Sequence, residues 1–146
     1  MLEVRVNEPD KDLKYKQRVG AYGILKNDKD EIVIVKTSTG YFLPGGGVEN
    51  NENYEECLQR EFIEEVGFKV KIVSKIAIIS CFFYSTTMNI DMESKGYFYI
   101  CDLIEELKED TEEDHELIWL SYKEAIDKLY LLNQKRAVEI YSQSLN

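Results

Sequence analysis

The sequence predicts an α/β protein in which a mixed sheet lies between helical layers. Three observations carry that expectation. Runs rich in β-branched and aromatic residues stand on both sides of one central acidic segment. That segment repeats its apolar residues at helical spacing. Two further helical stretches close the chain, the first opened by Ser121 with Glu124 three residues on, the pattern of a capping box.

Taken in order, Val4 and Val6 alternate with charged residues and suggest a short edge strand before a polar link over 7–16. The runs RVGAYGILK (Arg18–Lys26) and EIVIVKT (Glu31–Thr37) flank Asn27-Asp28-Lys29-Asp30 and read as a β-hairpin. Tyr41–Leu43 is a third short strand. Beyond the central helix, Lys69–Tyr84 reads as strand, Met88–Lys95 as a connecting loop, and Tyr97–Leu103 and Leu117–Leu120 as the remaining strands. A helix runs from the Ser121 cap to about Leu129, and Asn133–Ser144 forms a second C-terminal helix. The run Glu105–Glu116 reads as a surface loop.

The central helix is the informative element. Asn50 and Asn51 stand where it begins, Glu52, Glu55 and Glu56 fall in its early turns, where the dipole favours anions, and Gly67 stops it. Leu58, Phe62 and Val66 form an apolar stripe at four-residue steps. Glu61, Glu64 and Glu65 fall at i, i+3 and i+4, so three carboxylates crowd one face and repel unless a cation compensates them. Oxygen-only ligands of this kind suit Mg²⁺, with Mn²⁺ as a substitute. The competing reading is a solvated acidic face in which Glu56 and Glu64 pair with Arg60. Pro44-Gly45-Gly46-Gly47, just upstream, favours a ligand site, because glycines let backbone amides approach a phosphate closely.

Composition bounds the rest. A chain of 146 residues with 44% hydrophobic residues suits one domain, 1–146, with a sizeable core. Its 28 acidic against 18 basic residues give a net charge of −10, which repels duplex nucleic acid and anionic membranes. No apolar run approaches the roughly 20 residues that span a bilayer, and the N-terminal residues lack a signal-peptide core. Cys57, Cys81 and Cys101 are unpaired in number and sit in apolar contexts, as buried thiols of a cytoplasmic protein do. With one histidine and no close cysteine pair, a zinc site is not expected.

Gly46, Glu52, Arg60, Glu61, Glu64, Glu65 and Gly67 together match one spaced pattern. At residue frequencies of roughly 5–7% per position, such a match arises by chance about once in 10⁸ placements. It resembles the box of the Nudix (MutT-like) hydrolases. The order of elements is also similar to that family's α/β/α sandwich, with its mixed β-sheet and loop–helix–loop catalytic box. The resemblance implies Mg²⁺-dependent hydrolysis of a phosphoanhydride in a substrate built on a nucleoside diphosphate. A nucleoside triphosphate and a dinucleoside polyphosphate are the two forms considered. A non-catalytic nucleotide-sensing module is the alternative. The implied partner is a small nucleotide, with a homodimer a permitted assembly.

Carried over residue by residue, Glu61, Glu64 and Glu65 become metal ligands, with the carbonyl of Gly45 or Gly46 as a further one. Arg60 and Glu52 become an orienting pair. Glu61 is one candidate base, Glu65 a second catalytic carboxylate. In some members a glutamate outside the box does this work. Glu113 and Glu116, six and three residues before Trp119, are the candidates for it, Glu113 favoured, against a solvated loop. Arg18 is either a phosphate contact or an edge charge. Tyr22, Tyr84, Tyr97 and Tyr99 either stack on a base or pack the sheet; Tyr84 matches a tyrosine of dinucleoside-polyphosphate members. Phe62 and Phe68 stand where the family prefers smaller aliphatic residues, a departure that concerns packing.

Overall fold

The computed structural model describes residues 2–107 and 111–145. Eight strands and three helices alternate as the sequence suggests: β1 (Glu3–Arg5), β2 (Lys16–Leu25), β3 (Glu31–Lys36), β4 (Tyr41–Phe42), β5 (Gly45–Gly47), α1 (Tyr54–Val66), β6 (Phe68–Ser85), β7 (Ile90–Glu106), β8 (Glu116–Ser121), α2 (Tyr122–Lys128) and α3 (Leu132–Ser144). A five-stranded mixed sheet has the order β1-β6-β7-β2-β5, and a three-stranded antiparallel sheet has the order β4-β3-β8. Helices cover both sides, so the expected α/β class with a mixed sheet holds.

Strand periodicity explains the layering. Along β3, Ile32 and Ile34 point into a core with Ala125, Leu129, Ala137 and Val138 of the C-terminal helices. Val33 and Val35 point the other way, into a core with Cys57, Leu58, Phe62 and Val66 of α1. All four β3 residues are buried, which is why the strand reads as a continuous apolar run. Phe62 is fully buried; a Cβ on Gly23 would meet its ring at 2.7 Å, so this glycine makes the room the larger side chain needs. The three cysteines are free and buried.

Four expectations are corrected. The turn between β2 and β3 forms, with Asn27 Oδ1 accepting from the amides of Lys29 and Glu31 at 3.0 Å each and Asp30 at φ 58°. Past a single Lys26–Ile32 bridge, however, the strands part into different sheets. β2 finds ten register partners on β7 and β3 finds six on β8, so long-range pairing outweighs the local hairpin. Second, most of the segment expected as a loop, 88–95, belongs to β7, because Met92 and Ser94 alternate inward between two pairing strands. The connection is a tight turn at 86–89.

Third, α1 starts at Asn53 and not at Asn50–Asn51. Asn53 Oδ1 accepts from the Glu56 amide at 2.8 Å, and Glu56 Oε1 accepts from the Asn53 amide at 3.1 Å, a closed capping box. Glu52 therefore precedes the helix. Gly67 ends it in the left-handed region at φ 71°, as expected. Fourth, Gly45–Gly47 is a strand and not a turn that leads straight into the helix. It pairs antiparallel with Gly20–Tyr22 as an edge strand, six residues before α1. Of the acidic run, 105–106 end β7 and Glu116 opens β8, so the loop is shorter than expected; residues 108–110 lie outside the described residues.

Candidate active site

Helical spacing places Glu61 and Glu64 one turn apart on α1, facing the connection between β7 and β8. That connection brings Glu112 over them. One carboxylate oxygen from each of Glu61, Glu64 and Glu112 lies within 4.8 Å of the others. A Mg²⁺ with ligands at about 2.1 Å spans oxygens up to about 4.2 Å apart, so a small closing movement completes the geometry. The Glu112 amide donates to the Glu64 carbonyl at 3.2 Å, which fixes the connection against the helix.

Arg60 compensates only part of this charge. Its Nε and Nη2 hold Glu52 in a two-point pair at 2.6 and 3.1 Å, and its Nη1 is shared between Glu61 and Glu64 at 3.0 Å each. The Arg60–Glu52 pair thus forms as expected, while Glu56 goes to the helix cap and not to Arg60. One guanidinium against Glu52 and the three clustered carboxylates leaves a net negative site, which the self-paired reading does not explain. The Arg60 hydrogen bond holds the Glu52 carboxyl below its usual range, whereas burial raises that of Glu61.

Glu65 points inward. It is 9% exposed, and its Oε1 accepts from the Gly45 amide at 2.8 Å. Burial, opposed by that amide and reinforced by Glu61, Glu112 and Glu64, pushes its carboxyl up to about 8. A Cβ on Gly46 would meet the Glu61 carboxylate at 2.8 Å, so only glycine lets the two pack so closely. The Gly46 carbonyl, opposite Ala21 in the β2–β5 pairing, accepts from Cys57 Sγ at 3.5 Å.

The raised Glu65 carboxyl gives a pH prediction for metal-free protein. A folded-state value of about 8 against an ordinary 4.5 means that the folded state holds a proton the unfolded chain releases. The stabilisation is complete below pH 4.5 and is lost as pH rises through 8. Melting in EDTA should therefore occur at lower temperature at pH 8 than at pH 6, and added Mn²⁺ should raise it more at pH 8, where about half of that proton is already lost. Equal metal-induced shifts at the two pH values would contradict the placement of Glu65.

Two adjoining cavities lead away from the carboxylates. One, of about 280 Å³, is lined by Glu65, Gly45, Gly46, Arg18, His115 and Gln134 among others. The next, of about 190 Å³, shares Arg18, Tyr22 and Phe42 and is walled by Phe83, Met88, Met92 and Tyr130. Arg18 is exposed, its guanidinium lies 3.3 Å from where a Cβ on Gly47 would stand, and it lines both cavities. Tyr22 lines both while stacking on Phe98; Tyr99 is core; Tyr97 stacks on Tyr54 with centroids 3.7 Å apart. Tyr84 is exposed near the β6–β7 turn and lines a separate shallow cavity with Cys81 and Tyr130. Glu113 lies exposed in the turn and Glu116 on β8; neither joins the described cluster of Glu61, Glu64 and Glu112.

Sequence reasoning missed Glu112, His115, Gln134 and the Phe42–Phe83–Tyr130 wall. Proximity to Trp119 located the acidic run, but nothing in TEEDHE indicates which glutamate turns inward. The contact that brings Glu112 there, from its amide to the Glu64 carbonyl, is long-range.

The family model described as NUDIX domain matches residues 16–142. An Arabidopsis thaliana protein, Nudix hydrolase 12, mitochondrial, is 31% identical over 119 residues, 77% of this chain and 58% of its own length. A Bacillus subtilis (strain 168) protein, provisionally named an 8-oxo-dGTP diphosphatase, is 36% identical over 61 residues, 40% of this chain and 41% of its own length. The chain spans about half the length of the curated relatives it matches. Among solved structures, a NUDIX hydrolase from Nitrosomonas europaea superposes with a TM-score of 0.75, covering 88% of this chain and 90% of its own at 15% identity, a likeness of fold. No described helix is long and apolar enough to cross a membrane.

Proposed function

This chain belongs to the Nudix family, and on that premise we propose that it hydrolyses a phosphoanhydride in a nucleoside triphosphate or dinucleoside polyphosphate, with Mg²⁺ as cofactor and residues 1–146 acting as one domain. The observation that carries the reading is the oxygen-only cluster of Glu61, Glu64 and Glu112 beside a cavity that holds Arg18 and leads to an aromatic chamber. The name of the Bacillus subtilis relative, a diphosphatase of a nucleoside triphosphate, supports the triphosphate form.

Glu61, Glu64 and Glu112 would hold the cation, with Glu65 and the Gly46 carbonyl on the adjoining flank. When bound, it would neutralise phosphate charge as water displaces the leaving pyrophosphate or nucleotide. Arg18 donates to a phosphate at the mouth of the cavity. The base sits between Phe42 and Phe83, where aromatic faces stack on any base without specifying it. Glu65, held in the cavity wall by the Gly45 amide, would take the proton of the attacking water once its own proton has been displaced on cation binding. In this assignment Glu112 replaces Glu113 as the carboxylate from outside the box. The net charge of −10 suits a small nucleotide better than a duplex, and three buried free thiols suit a reducing cytoplasm.

Turnover of a panel of nucleoside triphosphates and dinucleoside polyphosphates, with Mg²⁺ and with EDTA, tests the reading. The expected outcome is turnover with Mg²⁺ alone, lost on Glu112→Gln and kept on Glu113→Gln. Tight binding of a nucleotide without turnover would instead make the chain a sensing module.

A further inference from the structure

We propose that His115 is a positioning residue for the cation site, its Nδ1–H holding the Glu112 carboxylate over Glu61 and Glu64. The inference rests on the site reading above. His115 is the only histidine of the chain. Its Nδ1 is buried and has no hydrogen-bond partner among the described residues, although it lies 3.3 Å from Glu112 Oε2 and 3.5 Å from Glu65 Oε2. A buried polar atom left without a partner is rare and calls for an explanation. Here the two nearest groups are both carboxylates of the site.

The backbone around His115 is tied down on three sides. The His115 amide donates to the Glu112 carbonyl at 3.3 Å, and the Glu112 amide donates to Glu64. Asp114 Oδ2 accepts from the amide and hydroxyl of Ser38 at 3.2 and 2.7 Å, pinning the connection to the turn before β4. The Glu112 side chain, by contrast, is 47% exposed and free to leave the cluster. Ordering such a side chain costs rotamer entropy when it takes up a ligand. A fixed donor beside it reduces that cost. A small turn of the carboxylate toward Nδ1 makes the bond while its other oxygen faces Glu61 and Glu64. Neutral imidazole needs only the tautomer protonated at Nδ1.

The test is Mn²⁺ binding in the absence of nucleotide, followed by electron paramagnetic resonance, with melting measured in EDTA. His115→Phe keeps the ring and removes the donor; His115→Asn keeps a donor near the Nδ1 position. We expect His115→Phe to weaken Mn²⁺ binding by about tenfold or more, with melting within about 3 °C of the parent. His115→Asn should stay within about threefold. The inference fails if folded His115→Phe binds Mn²⁺ within about twofold of the parent, or if His115→Asn loses as much as His115→Phe.

A second measurement needs no variant. The single histidine gives one imidazole pattern in a long-range ¹H–¹⁵N spectrum of the Mg²⁺-loaded protein, and Nδ1 should carry the proton. An unprotonated Nδ1 would overturn the proposal. Glu64→Gln in the same Mn²⁺ titration separates the two levels. If it binds like the parent, the site reading itself falls. If it loses Mn²⁺ while His115→Phe keeps it, only the role of His115 does.

Discussion

The Glu64→Gln variant should fold as the parent does and turn over its nucleotide at least about 10²-fold more slowly. Loss of a group that merely orients a metal ligand already costs about 10–100-fold in affinity or activity. Removal of a ligand charge belongs at or beyond the upper end of that range. Glu64 is suited to the test because its side chain is 43% exposed and its one ion pair among the described residues, with Arg60 at 3.0 Å, lies at the surface, where such pairs contribute about 0–1 kcal/mol. The amide is isosteric, so melting in EDTA should change little or even rise as repulsion from Glu61 and Glu112 is relieved. A folded Glu64→Gln protein with parental turnover would remove Glu64 from the site. Glu55→Gln, on an exposed early turn outside the cluster, is the control and should retain activity.

The Gly45→Ala variant should be the most destabilising single methyl on this side of the protein. Gly45 sits at φ 147°, a conformation that side chains rarely adopt, and its added Cβ would collide with the Ala21 carbonyl oxygen and meet Tyr22 Cα at 2.7 Å. Both obstacles are backbone atoms of β2, locked in ten pairs with β7, so neither yields easily. Strain of about 1–3 kcal/mol adds to overpacking of about 1–3 kcal/mol, a large part of an ordinary domain's stability. The site is damaged together with the fold, because the Gly45 amide is the donor that holds Glu65 at 2.8 Å. Calorimetry should show a melting temperature lowered by many degrees, with Mn²⁺ recovering little of it. A parental melting curve would mean that β5 is not paired as described.

What the sequence disclosed and what it hid divide along physical lines. The apolar stripe of Leu58, Phe62 and Val66, the left-handed stop at Gly67 and the Ser121–Glu124 capping box are set by contacts within a few residues, and each appears where its spacing places it. The Glu61–Glu64 ledge follows from the helical period in the same way. The parting of β2 from β3 is a different matter. The local turn favoured a hairpin, and only the long partners β7 and β8 decide against it. The glycine run forms an edge strand where its composition suggests a turn. Its glycines serve close packing against Glu61 and Ala21, which no local pattern specifies. Glu112 carries no local signal, since three of the six residues in TEEDHE are glutamates and only the bond from the Glu112 amide to the Glu64 carbonyl, far away in sequence, brings that one to α1.

Cleavage in ¹⁸O-labelled water tests the central claim most directly, because that claim concerns which bond the carboxylate site opens to water. A nucleoside triphosphate incubated with the protein and Mg²⁺ should give the monophosphate and pyrophosphate as first products, with one ¹⁸O found in one of them by mass spectrometry. A dinucleoside polyphosphate should give two nucleotides, one of them labelled. EDTA should abolish both. Labelled inorganic phosphate released first from a triphosphate, or hydrolysis confined to phosphomonoesters, would contradict the account.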